Sequence, residues 1–234
     1  MKKQKMFIAL GFLVAFTLWT LAIGGLDVQT IGPCGSAVGF ATLNGWFHSL
    51  TGVHMTLYAV TDWLGLVPVA FGFGFAVLGL TQWIQRKRIL KVDRSILALG
   101  CFYVAVLVAY LLFEEFPVNY RPVLIEGFLE ASYPSSTTLL VLCVTPTAGM
   151  QLRRRIKNRI FRCAVSAAIT AFTVFMVVGR LVSGVHWLTD IIGGILLSAG
   201  LVMLYDFVGR NNDERFDDSI GNQKRLPGCG RTDP

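Results

Sequence analysis

The sequence predicts an all-α fold: a bundle of six transmembrane helices with both termini cytoplasmic. Three observations carry that reading. Apolar residues make up 54% of the 234 positions, and the mean hydropathy is +0.60. Six runs, 6–24, 62–83, 95–114, 135–151, 160–179 and 187–207, approach the roughly 20 apolar residues that a bilayer-crossing helix needs. The 21 lysines and arginines are also segregated along the chain. Lys2, Lys3 and Lys5 precede the first run; Arg86, Lys87, Arg88, Lys91 and Arg94 join the second to the third. Arg153, Arg154, Arg155, Lys157, Arg159 and Arg162 join the fourth to the fifth, and Arg210, Arg215, Lys224, Arg225 and Arg231 follow the sixth. The positive-inside rule places all four groups on the cytoplasmic side. Only Arg121 and Arg180 are left on the outer side, where neither helps to orient the protein.

The elements follow in order. The first run comes after a basic start, as in a signal peptide, but its apolar core exceeds the roughly 7–15 residues of a cleavable one and reads as a retained anchor. It ends at Gly24-Gly25. The outer segment 26–61 contains Leu43-Asn44-Gly45-Trp46-Phe47-His48-Ser49-Leu50, an aromatic-rich stretch expected to form an interfacial helix between the first two spans. His48 and His54 read as interfacial polar residues rather than ligands. Asp62, at the outer mouth of the second span, is an ionisable group at a membrane boundary and a functional candidate on that ground. The alternation Gly72-Phe73-Gly74-Phe75 suits close helix packing.

The third span ends at Glu114-Glu115. A loop then carries Arg121-Pro122, Glu126 and Glu130 and closes on Tyr133-Pro134. Pro134 cannot continue a helix backwards, and Ser135 or Ser136 is a good N-cap, so the fourth helix starts there. The free N–H groups of a helix start suit a phosphate, and the hydroxyls of Ser135, Ser136 and Thr137 add donors. Pro146 is expected to kink this helix. Residues 1–207 form one membrane domain, and 208–234 form a polar tail expected to be disordered and cytoplasmic.

The chain places its chemistry in a short break between the fifth and sixth runs, Gly179-Arg180-Leu181-Val182-Ser183-Gly184-Val185-His186-Trp187-Leu188-Thr189-Asp190. His186 and Asp190 are four apart, so a helix opening at Trp187 brings the carboxylate one turn from the imidazole. Such a carboxylate can hold the proton on one ring nitrogen and leave the other free to attack. Arg180 adds a permanent cation that can fork onto phosphate oxygens. On these three residues alone, a helix-end histidine paired with an aspartate for structural reasons explains the pattern equally well. The five cysteines form no framework, and no set of residues is spaced for a metal. The net charge of +7 orients the chain and forms no surface patch for nucleic acid.

Arg121-Pro122, Pro134-Ser135-Ser136-Thr137 and Gly179-Arg180-x5-His186-x3-Asp190 together resemble the type 2 phosphatidic acid phosphatase superfamily of integral membrane lipid phosphatases. Its motifs are Lys-x6-Arg-Pro, Pro-Ser-Gly-His and Ser-Arg-x5-His-x3-Asp. The resemblance implies that His186 is a nucleophile forming a phosphohistidine and that Asp190 orients it. Arg121, Arg180 and the start of the fourth helix, with Ser135, Ser136 and Thr137, would bind the phosphoryl oxygens. It also implies no metal or other cofactor, and a phosphorylated lipid substrate reached from the outer leaflet of the plasma membrane. Among the departures from the motifs, Glu114 stands where the lysine would be, Thr137 where the leaving-group acid would be, and Gly179 where the serine would be.

The expected activity is hydrolysis of a lipid phosphate. A lipid diphosphate is favoured because its leaving group needs a proton less, with undecaprenyl diphosphate the candidate in a bacterial host. A lipid phosphotransferase, or a non-catalytic lipid-phosphate binder on the same scaffold, is the alternative. An unrelated six-helix transporter or channel is the third possibility, and the absence of an internal repeat weakens it.

Overall fold

The computed structural model describes residues 2–223. Within them are eight α-helices: α1 (Lys2–Gly25), α2 (Ala41–Thr51), α3 (Met55–Leu64), α4 (Leu66–Arg86), α5 (Arg94–Glu115), α6 (Ser136–Arg155), α7 (Arg159–Val182) and α8 (Leu188–Gln223). Five stretches are long and apolar enough to cross a membrane: Gln4–Gly25, Met55–Arg86, Arg94–Glu115, Arg159–Val182 and Leu188–Gly209.

The remaining expected span, 135–151, is helical as α6 but is not among those five. Its composition explains why. Thr137, Thr138, Thr145, Thr147 and Gln151 are all buried in a helix that buries eleven of its twenty residues. α6 packs against α4, α5, α7 and α8, so its side chains meet protein rather than lipid. Its hydroxyls are satisfied locally: Thr145 Oγ1 donates to the Val141 carbonyl at 2.7 Å, and Thr147 Oγ1 to that of Cys143 at 2.7 Å. α4 is the opposite case. Only Pro68 of its 21 residues is buried, and Phe73, Leu80 and Ile84 are exposed.

Two expected boundaries move. The second span begins earlier, as α3, and breaks at Gly65. Pro68 has no N–H to offer the Leu64 carbonyl four residues back, which interrupts the helical ladder at that point. The segment expected to leave the helix at 208 instead continues α8 to Gln223. The first proline beyond 207 is Pro227, so no residue in 208–223 compels the helix to stop. Residues 224–234, the rest of the expected tail, lie outside the described residues.

Contacts at the helix termini define two ends of the bundle. At one end Lys5 Nζ meets Asp206 Oδ2 at 2.5 Å. Gln151 Nε2 donates to the Tyr205 hydroxyl at 2.7 Å and to the Ser95 carbonyl at 3.4 Å, and Arg86 pairs with Asp93 at 2.9 Å. The basic groups around 2–5, 86–94 and 153–162 therefore share an end. At the other end Trp19 Nε1 donates to the Thr189 carbonyl at 3.2 Å, the Thr20 and Tyr133 hydroxyls meet at 2.7 Å, and Ser135 N–H donates to the Asp190 carbonyl at 3.2 Å. Arg121, Arg180, His186 and Asp190 all belong to this second end.

The stretch expected as an interfacial helix is α2. Asp27 Oδ2 accepts from Thr42 N–H at 2.7 Å, satisfying one of the free donors of its first turn. Leu43, Trp46 and Leu50 are exposed at spacings of three and four, forming one apolar stripe, while Ala41 and Asn44 are buried on the side facing α8.

Candidate active site

The turn between α7 and α8 is built by close backbone approach. Gly184 has φ of +69°, and a Cβ there would lie 1.9 Å from the Gly52 carbonyl oxygen. Only glycine fits that backbone angle and that gap together. His54 N–H donates to the Ser183 carbonyl at 2.9 Å, and His48 Nε2 lies 3.1 Å from the Gly184 carbonyl oxygen. The two histidines of the outer segment are thus braces for the turn. Trp187 Nε1 donates to the Tyr120 carbonyl at 2.7 Å, which ties the turn to the loop that carries Arg121.

Asp190 sits in the first turn of α8, and its Oδ2 accepts from Trp187 N–H at 2.9 Å. This is the back-reaching half of a capping box. Asn44 completes the helix start from α2, with Oδ1 accepting from Thr189 N–H at 3.3 Å and Nδ2 donating to Thr189 Oγ1 at 2.9 Å. The same Asp190 oxygen lies 3.8 Å from His186 Nδ1, beyond hydrogen-bond range but on the side of the ring expected of an orienting carboxylate. His186 is 3% exposed and Asp190 0%. Burial, and then the guanidinium groups of Arg121 and Arg180, hold the His186 pKa well below its ordinary 6.5. The imidazole is therefore neutral at physiological pH, the state a nitrogen nucleophile requires.

Arg121 rides on a hairpin that the sequence reading took for plain loop. Arg121 N–H donates to the Glu130 carbonyl at 3.0 Å, and Ile125 and Phe128 exchange backbone bonds at 3.0 and 2.8 Å. Glu126 and Gly127 both have positive φ, +49° and +86°, as a two-residue type I′ turn demands. The readable signal was an acidic residue followed by glycine between apolar neighbours. The register sets Glu130 opposite Arg121, and Nε of the arginine lies 3.1 Å from Glu130 Oε2. That is ion-pair distance without hydrogen-bond alignment, since Arg121 Nε and Nη1 are both buried with no hydrogen-bond partner.

Arg180, 1% exposed, is reached from α3, where Asp62 Oδ1 lies 3.3 Å from Nη2 and Thr61 Oγ1 3.5 Å from Nη1. The Tyr58 ring lies under both arginines, with its centroid 4.8 Å from the Arg180 guanidinium carbon and 5.9 Å from that of Arg121. Gly179 lets α3 approach so closely: a Cβ there would lie 2.8 Å from Thr61 Cγ2. Its place in the third motif thus has a packing reason.

A cavity of about 240 Å³ opens beside His186. Arg121, Glu114, Glu130, Ser132 and Ser136 line it together with Tyr110 and Phe113. Of the three expected hydroxyls, only Ser136 reaches it. Ser135 holds the N-cap position of α6 without a side-chain cap, and its Oγ accepts from Thr138 Oγ1 at 3.0 Å. Thr137 is buried outside the lining. Glu114, in the position of the family's lysine, faces the cavity and is exposed. The structure therefore brings Arg121, Arg180, His186, Asp190 and Ser136 together and turns Ser135 and Thr137 elsewhere. Tyr58, Glu130 and Asn44 were not singled out by sequence, because each is a lone residue in no recognisable spacing.

Residues 113–213 match the family model described as the PAP2 superfamily. The whole fold is similar to a crystal structure of a transmembrane PAP2-type phosphatidylglycerolphosphate phosphatase from Bacillus subtilis. That match has a TM-score of 0.54 and 16% identity, and covers 88% of this chain and 96% of the other. No curated protein matches. The matched segment runs from the end of α5 into α8 and contains Arg121, Ser136, Arg180, His186 and Asp190, so that over these residues the chain is similar to the PAP2 superfamily.

Proposed function

We propose that this chain is a membrane lipid phosphatase that works through a phosphohistidine on His186. One observation carries the reading. Arg121 Nε and Nη1, Arg180 Nε and both ring nitrogens of His186 are buried without hydrogen-bond partners. Buried polar groups of this kind cost free energy unless something satisfies them. Two permanent cations with unused donors beside a neutral imidazole suit a phosphoryl group, whose oxygens accept and whose phosphorus takes the nitrogen's lone pair.

In the proposed reaction His186 Nε2 attacks phosphorus in line with the leaving oxygen. The N–P bond forms as the P–O bond breaks, and the leaving group departs as a phosphate anion that carries off the bonding electron pair. Asp190 faces Nδ1 and stabilises the charge that develops on the ring. Water then attacks the phosphohistidine, the N–P bond breaks, and inorganic phosphate is released. Arg121 and Arg180 hold the oxygens throughout, and the start of α6 contributes through Ser136. No metal takes part in these steps. Six spans, with both ends cytoplasmic and the site on the extracytoplasmic side of the plasma membrane, complete the reading; the grouping of basic segments at the opposite end of the bundle supports it.

A lipid diphosphate is the proposed substrate, with the polyprenyl class first. Position 137 carries threonine, and neither His48 nor His54 lines the cavity. Among the residues that line it, no second histidine is available to protonate a strongly basic alkoxide. A phosphate leaving group, with a second pKa of about 6, needs far less help. The test is phosphate release by purified protein in chelator, from matched lipid mono- and diphosphates compared by kcat/KM. The reading expects hydrolysis that survives chelation, faster on diphosphates, and an acid-labile phosphoenzyme that His186→Ala abolishes. Binding of the same lipids without any release would assign the chain instead as a lipid-phosphate binder.

A further inference from the structure

The arginines of this site are supported by a residue outside the family match. Tyr58 is in α3, more than fifty positions before residue 113, where the matched segment begins. Its ring lies 4.8 Å from the Arg180 guanidinium carbon and 5.9 Å from that of Arg121. Both fall inside the range of about 6 Å in which an aromatic face attracts a cation. The two guanidinium groups are close enough to oppose each other's charge, so bringing both to one phosphoryl group has to overcome that repulsion. A negatively polarised ring face beside both cations offsets it without occupying a single N–H. Carboxylates act differently: Asp62 engages Arg180 Nη2 at 3.3 Å, and Glu130 stands at 3.1 Å from Arg121 Nε. A carboxylate competes with phosphate for the donors, whereas a ring leaves them free.

The face is set by local structure. Tyr58, Thr61 and Asp62 stand at i, i+3 and i+4 on α3 and share one side of the helix. Val60 and Trp63, on its other side, are exposed. The missing side chain at Gly179 lets this side of α3 reach Arg180. We propose that Tyr58 is the positioning residue of the site: its ring holds Arg121 and Arg180 together as one phosphate clamp and leaves their donors directed to the ligand. This rests on the phosphatase reading for its biological use, but not for its test.

The test measures phosphate affinity two ways: the inhibition constant of inorganic phosphate against lipid hydrolysis, and the concentration dependence of thermal stabilisation by inorganic phosphate. Tyr58→Phe keeps the ring and is expected to stay within about twofold of the parent in both. Tyr58→Leu removes the ring face and is expected to weaken phosphate by about tenfold, the scale of one partly desolvated cation–π contact. A purely structural role would lower the fraction of folded protein without moving either constant. Should the leucine variant fail to fold, phenylalanine analogues with one, three and five ring fluorines at position 58 keep the shape and drain the face of negative charge. Phosphate affinity is then expected to fall stepwise with fluorine number. A flat response, an unchanged affinity in Tyr58→Leu, or Tyr58→Phe as weak as leucine overturns the proposal. A parent protein that binds phosphate but hydrolyses no lipid overturns the phosphatase reading alone, and the thermal measurement still decides Tyr58.

Discussion

The α7–α8 turn brings His186 and the 119–132 hairpin brings Arg121 to the same cavity, and the two are built in different ways. The turn is held at five positions: Ser183 by His54, Gly184 by His48, Trp187 by Tyr120, Thr189 by Asn44 and Asp190 by Ser135. The hairpin is tied to the rest of the fold at its base, at Asn119 and Tyr120, and beyond them is held by its own backbone bonds, while its tip exposes Leu124 and Phe128, the latter at 72%. Glu130, which faces Arg121, is half exposed, whereas His186, which Arg180 approaches, is buried. The difference separates two tasks. A nucleophile must be aimed to within a fraction of an ångström, and the proposed one sits where the backbone is clamped. A cation that first meets a ligand can sit on a strand pair whose tip meets the surroundings.

The sharpest test of the comparison is His186→Ala. It removes the proposed nucleophile from the clamped region and is expected to reduce phosphate release at least about a thousandfold, with no phosphoenzyme formed. Retained activity would move the chemistry out of the turn altogether. Next in size are the two arginines. Arg180→Gln and Arg121→Gln should each cost about 10²–10³ in kcat/KM, the range for a lost electrostatic donor. They should differ in stability. Arg180 is among the largest fully buried side chains, so its replacement also lowers the unfolding free energy by about 1–3 kcal/mol. Arg121→Gln, on the hairpin beyond its tied base, should leave thermal unfolding nearly unchanged. Equal destabilisation would erase the distinction between the two regions.

How much of this was legible in the sequence follows the same division. Arg180, His186 and Asp190 lie in one run with motif spacing, so their proximity could be read before any fold. The segregation of basic residues also anticipated that the bundle has one basic end and one end that carries the site. What the sequence hid was whatever depends on a second segment. Tyr58 and Asn44 belong to helices that look like ordinary interfacial chain, and nothing in their own neighbourhood says that α7 and α8 will pack there. Glu130 became a partner for Arg121 only through the pairing of Tyr120 with Ala131, which sets the two side by side. Hydroxyls were misjudged for a related reason: Ser135, Ser136 and Thr137 are consecutive, but successive helical residues point about 100° apart, so one cavity cannot receive all three. The low apolarity of α6 is a further case, since a central helix meets other helices instead of lipid.

Glycines give a third, smaller test. Gly184→Ala meets both a positive φ of +69° and a carbonyl oxygen 1.9 Å from the new Cβ, so the turn must move. A loss of about 3 kcal/mol or more is expected, with activity falling alongside. Gly127→Ala, at φ of +86°, meets nothing within 4 Å and should cost only the left-handed strain, about 1–2 kcal/mol, with activity nearly kept. Thermal denaturation of the two variants side by side measures the gap. A hairpin variant as damaging as the turn variant would mean that the two regions are equally constrained.

The smallest expected effect joins the two regions through charge. The His186 pKa is lowered by burial first and then by Arg121 and Arg180. Attack needs the neutral ring, so the acid limb of kcat/KM should lie below the ordinary 6.5 of a histidine. Removing the hairpin's cation removes one cause of the depression, and Arg121→Gln should therefore move the limb to higher pH by up to about one unit. Stability carries the same sign. Between the depressed folded value and about 6.5 in the unfolded chain, the unfolded chain binds the additional proton, so the folded protein loses stability as pH falls through that window. In Arg121→Gln the window narrows from its acid side, and the loss on acidification should be smaller than in the parent. Denaturation midpoints and pH–rate profiles of parent and variant, taken on the same lipid, read both effects. A limb that stays in place, or moves to lower pH, would show that the hairpin's charge does not reach the nucleophile in the turn.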